Sequence, residues 1–203
     1  MVYNTLTPST ATFVEKRSKF IANVSSVKTQ QEANSFIMQL KTQYYDARHN
    51  IYAYILKDGT SRYSDDGEPQ GTAGIPVLEI LKRRELINVV AVVTRYFGGV
   101  QLGTGGLLRA YSHAVLLALD NAQILVMKLC NIYSIKTGYE MLTGLEKIVM
   151  QCGGRVVKVE YGEYAEAQIY IVKMQNESFL KQVITLSNAR ISPLLIGEIY
   201  YNL

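Results

Sequence analysis

The chain has 203 residues, 48% of them apolar and 19% charged, with 21 basic residues against 17 acidic ones for a net charge of +4. At roughly 150 residues per domain this is one large domain or two small ones, long enough to bury about 70% of its unfolded surface; the composition excludes a disordered chain, a collagen and a coiled coil. With a pI near 8.9 the chain is mildly basic, which permits a nucleic-acid partner without requiring one.

In chain order, Ala11–Val24 reads as an extended pair, with Lys16-Arg17-Ser18-Lys19 as a polar turn or an exposed strand. Gln31–Tyr45 has apolar residues at Ala33, Phe36, Ile37 and Leu40, the spacing of a helix. Ile51–Leu56 is aromatic and β-branched and ends at Lys57-Asp58-Gly59, a strand running into a turn. Pro76–Arg84 predicts a short helix with proline in its first turn. Asn88–Thr94 predicts a buried strand. Gly105–Ala122, charged only at Arg109 and Asp120, predicts a helix buried on most sides. A short strand at Ile124–Val126 places a domain boundary near Met127. Beyond it, Leu129–Lys136 predicts a strand and Tyr139–Cys152 a helix stopped by Gly153-Gly154. Arg155–Tyr161 and Ala165–Val172 form a hairpin, Asn176 caps a second helix, and Leu194–Tyr200 closes the chain. This order is βαββαβ, the ferredoxin-like plait, a fold that names no function.

No apolar run is long enough to span a bilayer, and Met1–Thr5 lacks the pattern of a secretory signal. Cys130 and Cys152 have no neighbour at metal spacing, so buried thiols in a reducing cytoplasm are expected. Thirteen basic and ten acidic residues fall in 1–127, and eight and seven in 128–203, so most of the positive excess belongs to the first half.

Five of the fifteen glycines fall within Gly98–Gly106, between the buried strand and the long helix. Gly98, Gly99, Gly103, Thr104, Gly105 and Gly106 would let backbone donors at a helix N-terminus approach an anion, with Arg95 and Arg109 adding charge-assisted bonds. The same glycines serve equally well for tight turns and close packing. The Walker and dinucleotide fingerprints are both absent. A second run, Tyr63–Pro76, carries Asp65, Asp66 and Glu68. Three carboxylates could hold a divalent ion, but the EF-hand spacing is missing, and a turn, a helix cap or an anchor for Arg95 fits as well. His49 could line the same cleft; His113 reads as structural, since Ser112 beside it faces another way. The basic clusters Lys16-Arg17-Lys19 and Lys82-Arg83-Arg84 are candidates for phosphate contact or simply solvated. The second half lacks the base-stacking pattern of an RRM.

The runs Asp65-Asp66-Gly67-Glu68-Pro69, Gly71-Thr72-Ala73-Gly74, Val92–Gly99, Leu102-Gly103 and Gly105-Gly106-Leu107 resemble the IMPACT/YigZ family, as do Phe13, Lys16, Ser18, Lys19, Phe20, Ala22, His49 and Ala53-Tyr54. The resemblance spans about residues 10–120. It implies an α+β protein of two domains. Residues 1–127 would form a two-layer α/β domain like that of a small-subunit ribosomal protein and of elongation factor G domain IV, and 128–203 a ferredoxin-like domain. Eukaryotic relatives regulate translation through a protein partner, using longer chains with a further N-terminal domain; this chain starts directly at the IMPACT-like domain. The expected function is non-enzymatic and cytoplasmic: binding RNA or a ribosome-associated protein, with no cofactor, metal or membrane. The alternative is an enzyme or small-molecule binder, with His49, Asp65, Asp66 and Glu68 facing a phosphorylated substrate held by the glycine loop.

Overall fold

The computed structural model describes residues 2–203. The chain divides into two compact units, one of residues 3–125 and the other of 126–203 together with Val2.

In the first unit, after β1 (Val2–Leu6), five strands make one antiparallel sheet. These are β2 (Ser9–Glu15), β3 (Ser18–Ser26), β4 (His49–Ile55), β5 (Ser61–Ser64) and β6 (Val89–Tyr96), in the order β2-β3-β6-β4-β5. The centre of the sheet is β6, whose run Val89–Val93 is buried on both faces. Val89, Ala91 and Val93 pack beneath α2 (Gly74–Arg83) and α3 (Gly103–Asn121), while Val90 and Val92 pack beneath α1 (Gln30–Gln43). The unit therefore has three layers and not the expected two. A strand apolar on both faces must be covered on both, and Ala33, Ile37 and Leu40 of α1 supply the second cover.

Local chemistry sets the element ends. Thr29 caps α1 by accepting from the Glu32 amide at 3.1 Å, and the Glu32 carboxylate accepts from the Lys28 amide at 2.7 Å. The β2–β3 hairpin turns on Lys16 and Arg17, both at positive φ (44° and 67°), a conformation usually left to Asn-Gly. Glycine is obligatory at 98: a Cβ there would lie 2.0 Å from the Arg17 carbonyl carbon, and the Gly98 amide donates to Ser18 Oγ at 3.1 Å. The hairpin tip is thus seated against the segment that follows β6. Two helix expectations change. The first turn of α3 starts at Gly103, so Gly103–Gly106 are helical and the loop is only Phe97–Leu102. α3 is also buried along one face only, through Leu107, Ala110, Tyr111, Ala114, Val115 and Ala118, with Leu108, Arg109 and His113 exposed.

In the second unit the order along the sheet is β10-β7-β9-β8, from β7 (Ile124–Thr137), β8 (Arg155–Tyr161), β9 (Ala165–Val172) and β10 (Leu194–Tyr201), with α4 (Tyr139–Gln151) and α5 (Asn176–Ser187) between strands. Ile135, Leu145, Val149, Ile169, Phe179 and Val183 form its core. Residues 124–126 and 129–136, read as separate strands, are one strand, because no turn residue interrupts them. Asn176 begins α5 without capping it: its Oδ1 instead accepts from Asn131 Nδ2 and the Tyr133 hydroxyl. Both cysteines are free and buried, and no described helix is long and apolar enough to cross a membrane.

Two glycine substitutions separate the two uses of the residue type. Gly98→Ala forces a Cβ into backbone and should cost about 3 kcal/mol or more in urea unfolding. Gly99→Ala, in open space at φ +80°, should cost only the left-handed penalty of about 1 kcal/mol.

Candidate functional site

Arg95 ends the core-facing alternation of β6, in register with Phe20 on β3 and His49 on β4. The α3-facing side of the sheet is apolar up to this row, so a charge here must bring its own partner. Glu68, from the segment between β5 and α2, provides it. Arg95 Nη1 donates to Glu68 Oε1 at 2.6 Å, and the side chains are only 6% and 3% exposed. The Tyr111 hydroxyl of α3 donates to the same oxygen at 2.6 Å. Burial first, and then this hydrogen bond, push the Tyr111 phenol far above its ordinary range, so it remains a donor. Arg95 Nε is buried and has no hydrogen-bond partner among the described residues. Its guanidinium carbon lies 5.6 Å from the ring centres of both Phe20 and Phe97.

His49 Nδ1 sits 2.8 Å from the Asp66 carbonyl, an acceptor, so Nδ1 carries the ring hydrogen. Nε2 is left 3.8 Å from Glu68 Oε1. These residues line a cleft of about 470 Å³, together with Arg48, Phe97 and the first turn of α3 at Gly103 and Thr104. No side chain caps α3, and its first turn holds no acidic residue. Its N-terminal amides and positive dipole end thus meet the cleft with no acidic residue in their own turn, and Glu68, the carboxylate in the lining, is paired with Arg95. Arg48 lies over the Phe97 ring at 5.3 Å, and Phe97 is 41% exposed.

The structure sorts the candidate residues into three groups. His49, Glu68, Arg95, Gly103 and Thr104 share the cleft. Gly106 and Arg109 line a separate recess with Lys16 and His113, so the expected joint action of Arg95 and Arg109 on one anion does not occur in this geometry. Arg95 is also walled in rather than displayed on an exposed loop, because Glu68 neutralises it. Gly105 lies under the Arg109 guanidinium, while Gly98 and Gly99 shape the loop. The third group is architectural. Asp65 accepts from the amides of Gly71, Ala73 and Gly74 at 2.8, 3.1 and 2.8 Å, which caps the start of α2. Asp66 pairs with Lys41 at 2.7 Å and accepts from the Asn50 amide. Neither faces the cleft, and among the described residues no group of three or more His, Cys, Asp or Glu is placed to hold a metal ion. Arg48, Phe97 and Tyr111 went unread in sequence. Tyr111 lies in the apolar stripe of α3 and reads there as core; the adjacency of Arg48 to His49 was the one signal for it.

Removing the charge of Glu68 leaves a buried guanidinium uncompensated. Glu68→Gln should cost about 3 kcal/mol or more, while Glu68→Gln with Arg95→Met should recover much of it in chemical unfolding, since Tyr111 keeps an acceptor. A raised Tyr111 pKa means that above about pH 10 the unfolded phenol loses a proton that the folded one keeps, so stability falls as pH rises. Tyr111→Phe should flatten that decline by about 1 kcal/mol between pH 10 and 11, read from urea midpoints.

Residues 16–119 match the family model described as the Impact N-terminal domain. The chain is 38% identical to the IMPACT family member YvyE of Bacillus subtilis over 93% of its own length and 87% of that protein. It is 31% identical to the IMPACT family member YigZ of Escherichia coli over 90% and 92%. A crystal structure of a hypothetical protein, 29% identical, superposes with a TM-score of 0.64 over 97% of this chain and 98% of that one. The Arg95–Glu68 cleft lies inside the matched segment, and the similarity to both bacterial proteins runs through nearly the whole chain: it belongs to the IMPACT family.

Proposed function

We propose that this protein is a non-enzymatic RNA-binding protein of the translation-regulating kind, and that its cleft seats a phosphate of the RNA backbone. One observation carries this reading. The uncapped start of α3, at Gly103 and Thr104, lines the cleft together with the exposed guanidinium of Arg48. A phosphate oxygen satisfies free first-turn amides, and the helix dipole and Arg48 favour the same charge.

Phe97 favours a strand over a free anion. It is a half-exposed aromatic ring beside the phosphate position, backed by the Arg48 guanidinium. A ring so placed can stack a base without reading its identity, which is how single strands are held irrespective of sequence. The cytoplasm is the compartment such a role requires.

One feature favours a second reading. The cleft is large enough for a small phosphorylated molecule, and His49 Nε2 borders it. Labelled unstructured RNA titrated by fluorescence anisotropy, beside a thermal-shift series with nucleotides and sugar phosphates, separates the two. RNA binding should weaken with salt, the logarithm of affinity falling by about 0.7 per neutralised phosphate for each unit of log salt. Phe97→Ala should weaken it by about 1–3 kcal/mol, the worth of one stacked base. Absence of RNA binding at about 50 mM salt, where the electrostatic contribution is large, together with a specific small-molecule stabilisation, overturns the RNA reading.

A further inference from the structure

A second recess, of about 320 Å³, opens beside the cleft, lined by Phe13, Glu15, Lys16, Gly106, Arg109 and His113. Leu102 borders both cavities. We propose that this recess holds the next phosphate of the same RNA strand, gripped by Arg109 and Lys16, so that the strand crosses Leu102; the proposal rests on the RNA reading above.

Two cations bring positive charge here. The guanidinium of Arg109 lies back along its helix, with Nη1 3.7 Å from where a Cβ on Gly105 would stand. It is thereby held near the positive end of α3, which by itself disfavours a cation. No carboxylate among the described residues pairs with it. An anion between Arg109 and the helix start relieves both. Lys16, in turn, sits on the hairpin tip at φ 44°, followed by Arg17 at φ 67°. Asn-Gly would turn this hairpin without strain; two long cationic residues do so at a backbone cost, a pattern that points to function. The tip is also fixed in place, since it is clamped by Gly98 and the Ser18 hydroxyl. Lys16 therefore reaches the recess from a rigid base.

The spacing fits one strand. Leu102 belongs to the lining of both cavities, and the Arg109 guanidinium lies back beside Gly105, next to Thr104 of the cleft. Adjacent phosphates of one strand can therefore occupy neighbouring cavities. Glu15 is the one opposing group, and its carboxylate at the recess weakens the site.

The test uses the full-length protein and a fluorescein-labelled eight-nucleotide oligouridylate, titrated at several salt concentrations. Lys16→Gln with Arg109→Gln should lower affinity about tenfold and make the salt dependence shallower by about 0.7 for each phosphate no longer neutralised. Glu15→Gln should tighten binding. Both cations are exposed, and thermal unfolding of the double variant should match the unsubstituted protein. Lys82→Gln with Arg83→Gln removes equal charge from α2 and should leave affinity within about twofold. If this control weakens binding as much as the recess variant, the effect is one of net charge and the second position is disproved. An unchanged affinity and salt dependence in the recess variant, with binding still weakened in Phe97→Ala, overturns the second position and leaves the first intact. If the unsubstituted protein fails to bind the oligonucleotide at about 50 mM salt, both readings fall together.

Discussion

The cleft depends on one buried ion pair. Arg95 and Glu68 come from opposite sides of the sheet-to-helix interface and meet where water is nearly excluded. In such a place a lone charge is costly and a pair is tolerated only with good geometry and further hydrogen bonds. Tyr111 supplies one such bond, and its raised pKa keeps it in the donor form. Glu68 thus ties three elements to one atom: β6 through Arg95, α3 through Tyr111, and the segment before α2 through its own backbone. The pair specifies where these elements stop relative to one another, and with them the position of the helix start that faces the cleft.

Asp65 and Asp66 serve the same arrangement from behind. Asp65 satisfies three amides at the entry to α2, and Asp66 holds the β4 end through the Asn50 amide and Lys41 of α1. The Asp66 carbonyl also fixes the His49 tautomer. Three acidic residues within four positions therefore do three different jobs, and only Glu68 borders the cleft. Negative charge in this loop goes to internal satisfaction, which leaves Arg48, Arg109 and the hairpin cations as the uncompensated groups.

Periodic features were legible in the residues alone. The hairpin at Lys16-Arg17, the stripe of α1, the double-faced run of β6 and the helices and hairpin of the second unit announce themselves through spacing and turn chemistry. The family likeness was legible in the Gly-rich runs. The site was half legible: His49, Glu68, Arg95, Gly103 and Thr104 were marked, yet grouped with Asp65, Asp66 and Arg109, which point elsewhere. Sequence proximity conceals direction. Asp65 and Glu68 are three residues apart in a loop, where no helical or strand period dictates which way each faces. Tyr111 was hidden for the converse reason, since an apolar helical stripe absorbs one hydroxyl without altering its period. The third layer went unread because β6 looks equally apolar whether one helix layer covers it or two.

The bare beginning of α3 has a bearing on motion as well as on charge. Amides in a first turn that no side chain secures open more readily than those further along a helix, and such weakly held segments are the parts of a protein that exchange their hydrogens soonest. A phosphate seated there would act as the missing cap. Occupancy of the cleft and rigidity of α3 would then be linked, and the helix that carries Tyr111 to the buried pair at one level and Arg109 to the surface at the next would be quietened from its own first turn.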